Sequence, residues 1–350
     1  MRSEYGSMPS SEIRILSVGT ALPGDPVDTA MLAKAFRMDA LWQQWVDTFI
    51  ETRTRHLATD LDTGEQYCTL ADLATSAAER ALAASGTAVE DVDLVVMGTA
   101  MPDMLMPATV NVVADRLGVN NIPTYQLQSG CSGAIQALEL AHDLLSTGRY
   151  RTALVIGGEV TAKHFDLKRD LRALPPGQLV NLVLFGDGAG AAVLSRDADS
   201  GSAAIRRVFT RLTGLNRESG QSLEWYGAAD RGGERNPASE NYKMIEDSVP
   251  GMAVEILEEL LDDLGWKRAD IDYLLPPQLS GRMTPRIVER LAVPGAEEVS
   301  VVDVTGNTGN SLPFLQLEKA FADMAPGERG LCVAVESSKW IKAGLVFERI

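Results

Sequence analysis

The chain has 350 residues, 45% hydrophobic and 23% charged, and its 48 acidic against 32 basic side chains give a formal net charge of −16. That length can bury a sizeable core in one or two domains, and the acidic balance argues against generic binding to nucleic-acid phosphates. The three cysteines, Cys68, Cys131 and Cys332, make neither a disulfide framework nor a metal cluster and suit a reducing cytoplasm; no apolar run reaches membrane-spanning length, and the polar stretch from Met1 to Ser11 lacks a signal-peptide core.

Met1 to Ser11 is read as a loose extension, with Met8 as an alternative start. Ile13 to Gly19 predicts a first strand, closed by Gly19 and the Pro23-Gly24 turn. Leu70 to Ala84 has the periodicity of an amphipathic helix, with Thr69 as N-cap. A buried strand follows over Asp91 to Gly98, then a helix from Pro107 through Leu117. The stretch Tyr125 to Leu138 predicts a strand end, a tight turn of small residues and a helix whose apolar positions Ile135, Leu138, Ala141 and Leu145 recur at helical spacing. Cys131 sits at that turn. A thiol there lies at the positive end of a helix dipole, beside free backbone N–H groups that favour thiolate and can hold a negative oxygen. Gly130, Ser132 and Gly133 relieve backbone crowding on both sides, as a ligand approaching the sulfur would require; the competing role for Cys131 is a small core residue. The strand Thr152 to Gly157 completes the first half.

Lys163 to Asn181, containing Lys168, Arg169, Arg172 and Pro175-Pro176, predicts a long surface excursion, and Arg217 to Pro237 is also polar and turn-rich. Such loops either cover a pocket or are mobile. Leu184 to Leu194 (LFGDGAGAAVL) runs its glycines into an apolar strand and predicts a tight strand crossing, not a phosphate loop. The second half then repeats the order of the first: a helix from Met252 to Leu264, a strand over Asp270 to Pro276, a helix over Pro285 to Leu291, and a Val304 to Leu312 turn leading to Leu331–Val335. Alternating helices and short apolar strands predict an α/β layered fold with mostly parallel strands. Two such halves packed about a pseudo-twofold axis bring Cys131 and Asn307, at equivalent turns, into one pocket.

The GCSGAIQAL segment around Cys131, the LFGDGAGAAVL segment and Gly306-Asn307-Thr308 make the chain resemble the thiolase superfamily, and more narrowly β-ketoacyl-(acyl carrier protein) synthase III and its acyltransferase relatives, from about Ile13 to Ile350. The resemblance implies a thiolase-like α/β fold of two pseudo-symmetric βαβ-type halves, residues 12–195 carrying the cysteine and 196–350 carrying the asparagine, stacked as a five-layered α-β-α-β-α sandwich. It implies that Cys131 accepts an acyl group from the phosphopantetheine thioester of an acyl carrier protein or coenzyme A, with Asn307 acting on the second substrate. No permanently bound cofactor and no metal is implied, and the protein is expected to be a cytoplasmic homodimer. Trp45 and Arg53 match the family's clamp on the coenzyme A adenine and phosphates. Met106 matches the position at which a partner subunit closes the acyl tunnel, the alternative being core packing. Arg282 matches a carrier-protein docking arginine, and Arg286 and Arg290 extend it into a basic helix face; otherwise these arginines are simply solvated.

Two departures from the family pattern shape the functional expectation. Where the family reads V-P-H-Q-A-N, this chain reads Leu275-Pro276-Pro277-Gln278-Leu279-Ser280, so Pro277 stands where the family has its histidine. Proline supplies neither a side-chain donor nor an N–H, and losing one oxyanion-type donor costs on the order of 10²–10³ in rate. The histidines present are His56 and His142, expected at the surface or in packing, and His164, which either reaches the pocket or is solvated. The second departure is Glu336-Ser337-Ser338-Lys339-Trp340 in place of a glycine-rich loop that supplies an oxyanion N–H, a role Ser338 would retain through its backbone. The expectation is therefore a non-decarboxylating acyltransferase or condensing enzyme. It would pass the Cys131-bound acyl group to a small-molecule hydroxyl, amine or acidic β-keto carbon in polyketide or antibiotic biosynthesis, tetronate ring closure included. The alternatives are decarboxylative chain initiation, with Gln278 or a loop histidine standing in for the lost histidine, and a non-catalytic partner subunit of an active synthase.

Overall fold

A computed structural model describes residues 12–164, 171–173, 176–197, 201–225 and 238–350. In chain order the first half comprises β1 (Arg14–Ala21), β2 (Val27–Asp28), α1 (Thr29–Ala35), α2 (Ala40–Phe49), β3 (Thr54–Arg55), α3 (Leu70–Ser85), β4 (Leu94–Thr99), α4 (Thr109–Leu117), β5 (Thr124–Gln128), α5 (Gly133–Ser146), β6 (Thr152–Glu159), α6 (Pro176–Leu184) and β7 (Gly188–Ser195). The second comprises β8 (Ala203–Leu212), β9 (Gln221–Leu223), β10 (Ala238–Glu240), α7 (Tyr242–Leu264), β11 (Tyr273–Leu275), α8 (Met283–Leu291), β12 (Glu297–Glu298), α9 (Val302–Thr305), α10 (Leu312–Asp323), β13 (Arg329–Glu336) and β14 (Ile341–Arg349).

The main sheet runs β12-β11-β13-β14-β8-β1-β7-β6-β4-β5. Read from either edge inward, the pattern is the same: β5, β4 and β6 are parallel and continue antiparallel into β7 and β1, while β12, β11 and β13 are parallel and continue antiparallel into β14 and β8. The sheet is therefore mixed, not mostly parallel as the alternation suggested, because in each half one strand, β7 or β14, runs against its neighbours in that half on both sides. In the main sheet the halves pair where Arg14 and Ile15 of β1 meet Ala204 and Ala203 of β8.

Across that seam the sheet folds back on itself. Helix α5 packs on β4 and β6 of one half and on β8 and β14 of the other, and α10 touches β1 and β7 as well as β11 and β13. A helix wanted by two sheets must be apolar on both faces, and Ala134, Ile135, Ala137, Leu138, Ala141 and Leu145 of α5 are all fully buried. Helix α3 covers the outer face of β1 and β7, and α7, with α8 against it, covers β13 and β14. The result is the five-layered α-β-α-β-α thiolase-like sandwich.

Helix α3 starts where expected, with a capping box between Thr69 and Asp72. Helix α7 begins at Tyr242, ten residues before the expected Met252, because Asn241 caps it and Pro250 is carried inside the helix instead of opening it. The excursion over 163–181 is corrected in part. Within it lies the start of α6, and Leu171, Leu179 and Val180 are buried with α1 and α2 residues Leu32, Phe36 and Val46. Lys168, Arg169 and Pro175, like Met1 to Ser11, lie outside the described residues. The glycine strand behaves as a crossing: a Cβ on Gly186 would stand 2.1 Å from the Thr305 carbonyl oxygen, and one on Gly190 would stand 2.2 Å from Cβ of Phe314.

Candidate active site

Strand β5 ends at Gln128 and a tight turn follows, closed by the Gly133 N–H donating to the Gly130 carbonyl at 2.9 Å. Gln136, one turn into α5, donates to Ser129 Oγ at 2.8 Å and to Ser132 Oγ at 2.9 Å, holding both flanks of Cys131. The flanking glycines are required by the other half of the chain, not by an approaching ligand. A Cβ on Gly130 would lie 2.3 Å from the Glu336 carboxylate, and one on Gly133 would lie 2.7 Å from Asn310 Oδ1.

Asn310 ties the two turns together. Its Oδ1 accepts the Ala134 N–H at 2.8 Å, and its Nδ2 donates to the Ser129 carbonyl at 3.1 Å and to Glu159 Oε1 at 2.6 Å. Glu159, at the end of β6, also accepts from the Ala100 N–H at 2.8 Å and from Thr99 Oγ1 at 3.1 Å. Burial raises its pKa to about 7 against the pull of these donors. Asp187, buried in the glycine segment, accepts three backbone N–H groups (Ala58, Thr161, Ala162) and is raised by burial to about 6.

The electrostatics reverse the expectation of a thiolate. The Cys131 pKa is raised, first by burial and then by the negative charges of Glu336, Glu159 and Glu240. Burial and the three carboxylates oppose the helix terminus and work against the thiolate.

Cys131 lies between two cavities. The larger, about 530 Å³, is lined by Cys131, Glu159, His164, Glu336, Ser338 and Trp225 among others. The smaller, about 40 Å³, is lined by Cys131, Pro277, Gln278, Asn307 and Gly309 with apolar neighbours. Cys131 and Asn307 thus face one space, as packing of equivalent turns required. Asn307 is held through its backbone, its N–H donating to the Leu184 carbonyl at 3.0 Å, and its Oδ1 accepts the Gly309 N–H at 3.0 Å. Its Nδ2 makes no hydrogen bond among the described residues.

Gln278 lines the small cavity but does not replace the family histidine. Its Nε2 donates to the Val299 carbonyl at 3.0 Å and its Oε1 accepts from the Val301 and Val302 N–H groups at 2.9 and 2.7 Å, so the carboxamide is committed to fixing the chain between β12 and α9. Ser338 lines the large cavity, and its hydroxyl donates to Glu336 Oε1. His164 does reach the cavity, and burial and the adjacent Lys163 lower its pKa. His56 contacts the Pro23 carbonyl and His142 contacts Asp143, both away from the site.

Arg53 is not free to clamp a phosphate. Its Nη2 lies 2.6 Å from Asp303 Oδ2 and its Nε lies 2.8 Å from Oδ1, a bidentate pair that also raises its pKa. Trp45 stacks near Phe49, ring centroids 6.1 Å apart, and Arg282 sits over the same Phe49 ring at 5.2 Å. Arg286 and Arg290 are exposed along α8. Met106 is 85% exposed, beside exposed Leu105 and Met104, which rules out core packing in the single chain.

Sequence reasoning missed Glu159 and Asn310, and it noted Glu336 only as a departure. A carboxylate ending an otherwise apolar strand, as in Leu154–Glu159 and Leu331–Glu336, was the available signal. Among the described residues no helix is long and apolar enough to cross a membrane, and no cluster of three His, Cys, Asp or Glu side chains is placed to hold a metal.

The family model for 3-oxoacyl-(acyl-carrier-protein) synthase III matches residues 125–211, and the model for its C-terminal part matches residues 261–340. A β-ketoacyl-(acyl-carrier-protein) synthase III of Rhodospirillum centenum is 32% identical over 323 residues, 92% of this chain and 94% of that one. Among solved structures, AbyA1, a tetronic acid condensing enzyme, is 60% identical with a TM-score of 0.93, covering 96% of this chain and 99% of that one. The synthase III of Aquifex aeolicus shares the fold at 22% identity, with a TM-score of 0.80 over 96% of this chain and 99% of that one. The chain belongs to the β-ketoacyl-(acyl-carrier-protein) synthase III family and is an acyl-transferring condensing enzyme on a thiolase-like fold.

Proposed function

We propose that the enzyme loads an acyl group onto Cys131 from a phosphopantetheine thioester, carried by an acyl carrier protein or coenzyme A, and passes it without decarboxylation to an acceptor that brings its own activated nucleophile. The observation that carries this is Pro277. It lines the 40 Å³ cavity with Cys131 and Asn307, in the place where the family has its histidine, and the neighbouring Gln278 is tied to backbone. An enolate formed by decarboxylation would find Asn307 Nδ2 but no second neutral donor there, a deficit on the order of 10²–10³ in rate. An acceptor whose carbon lies between two carbonyls needs no decarboxylation to become nucleophilic.

Likeness to a tetronic acid condensing enzyme at 60% identity favours assembly of a tetronate ring, whose atoms a β-ketoacyl thioester as acceptor and a glyceryl thioester as donor would supply. In the first half-reaction Cys131 Sγ attacks the donor carbonyl and the carrier thiol leaves. In the second, the acidic carbon of the acceptor attacks the acyl-cysteine, forming a C–C bond and returning the Cys131 thiol. Ring closure follows when the donor hydroxyl attacks the acceptor's own thioester and its carrier thiol leaves. Asn307 Nδ2 would donate to the enolate oxygen of the acceptor in the small cavity, and the Ser338 backbone N–H, from the large cavity, to the oxyanion formed on the acyl-cysteine. Arg282 and Arg286 would meet an acidic carrier protein, and the exposed Met106 would be covered by a second copy of the chain in a cytoplasmic homodimer.

Intact-mass spectrometry with acyl thioesters tests the reading. The wild-type chain should gain one acyl mass, C131A should gain none, and malonyl-carrier protein labelled at the free carboxyl should release no labelled carbon dioxide. An adduct that persists in C131A, or release of labelled carbon dioxide during turnover, would overturn it.

A further inference from the structure

A thiol attacks a thioester only as its proton leaves, so a group beside Cys131 must take that proton. Among the described residues, Glu159, Glu240 and Glu336 act on Cys131, and His164 and Glu224 also line its large cavity, Glu224 from an exposed position. Glu159 is saturated by Thr99, Ala100 and Asn310 and holds the turns together. Glu240, on β10, lines neither cavity. His164 lines the large cavity, but it makes no hydrogen bond to the Cys131 turn among the described residues. Glu336 differs from all of these. It ends β13, is 3% exposed, and lines the large cavity with Cys131. Its carboxylate presses on Gly130, close enough that a Cβ there would clash, and its Oε2 reaches both the Ser132 N–H and the Ser132 Oγ, each at 3.5 Å. It therefore touches the residues on both sides of Cys131. Oε1 is taken by the Ser338 hydroxyl, whereas Oε2 has only the two long contacts to Ser132 and retains capacity to accept.

We infer that Glu336 is the group that takes and returns the Cys131 proton, with Ser338 as the residue that positions its carboxylate. This rests on the acyl-enzyme reading above and adds the proton path. In loading, Glu336 takes the Sγ proton as the new C–S bond forms, and returns it to the departing carrier thiolate as the old C–S bond breaks. In transfer, Glu336 takes the proton of the acceptor carbon as the C–C bond forms, and protonates Cys131 Sγ as it leaves. Each half-reaction returns Glu336 to its starting state, and no oxidant or further reactant is needed.

The test compares wild type, E336Q, E336D and S338A in single-turnover acylation followed by intact mass, and in alkylation of Cys131 by iodoacetamide. E336Q should acylate on the order of 10²-fold more slowly. Its alkylation should fall in step, because iodoacetamide also requires the Sγ proton to be removed, and both rates should recover as pH rises and hydroxide takes over that role. E336D should recover part of the acylation rate, and S338A should lower it several-fold. Acylation of E336Q at the wild-type rate overturns the assignment, and so does a fall in both rates that does not recover as pH rises, which marks a collapsed site. Absence of any adduct on the wild-type chain overturns the acyl-enzyme reading along with this one, whereas equal adducts on wild type and E336Q overturn the proton role alone.

Discussion

Cys131 and Asn307 stand at corresponding turns, each following an edge strand of the main sheet, β5 or β12, and leading to a central helix, α5 or α10. The first turn is half-buried, opens onto a 530 Å³ cavity and sits among carboxylates. In the second, Asn307, Thr308, Asn310 and Ser311 are all buried, and the backbone is fixed by bonds to Leu184 and Gly186 on the neighbouring glycine segment. One copy of the unit has kept a reactive atom at the surface of a chamber. The other has become a clamp that reaches across and fixes the first. Position within a duplicated fold therefore does not assign chemistry; burial and hydrogen-bond partners do.

The comparison breaks most visibly if the second turn is a clamp and nothing else. Asn307 lines the small cavity with Cys131 and its Nδ2 makes no hydrogen bond among the described residues, so N307A should slow transfer from a preformed acyl-enzyme on the order of 10²–10³-fold, while the Cys131 adduct still forms. Single-turnover product formation measures this, and a loss under tenfold would reduce Asn307 to structure. Asn310 is the clamp proper. N310A leaves the Ala134 N–H, the Ser129 carbonyl and one donor to Glu159 without their partner, which should cost about 2–3 kcal/mol of stability in urea denaturation. A cost below about 0.5 kcal/mol would mean the turns are held by packing alone.

Much of this arrangement was legible in the sequence because it rests on order and periodicity. The α5 periodicity, the Thr69 cap and the repeated succession of strand, turn and helix are local signals, and they led to the juxtaposition of Cys131 with Asn307. The reversed strands were not legible, since an apolar run such as Gly188–Ser195 looks the same whether it pairs parallel or antiparallel. Nor was the state of the thiol. The helix terminus at Cys131 is a local feature, whereas Glu336 and Glu159 arrive from 205 and 28 residues further along the chain. The partner of Arg53 was hidden for the same reason: its spacing from Trp45 suggested a phosphate clamp, and Asp303, on α9 of the other half, pairs with its exposed guanidinium.

Glu159 marks the joint between the two turns, and its protonation offers the finest probe of how they differ. Its folded pKa of about 7 lies above the ordinary glutamate value, so between about pH 4.5 and 7 the folded chain binds a proton that the unfolded chain has released. More protons on the folded state make stability fall as pH rises through that window, with one group contributing a slope of at most ~1.4 kcal/mol per pH unit. Glu240, raised by burial to about 7, and Asp187, raised to about 6, act with the same sign. In E159Q the side-chain oxygen can still accept from Ala100 and Asn310, and its NH₂ can donate to the Thr99 hydroxyl, so the joint survives without the charge. Urea midpoints should then coincide with wild type near pH 4.5 and separate in favour of E159Q as pH rises to 7.5. Parallel curves for the two proteins would show that Glu159 is ionised throughout, and that the clamp holds a carboxylate at full charge against its buried surroundings.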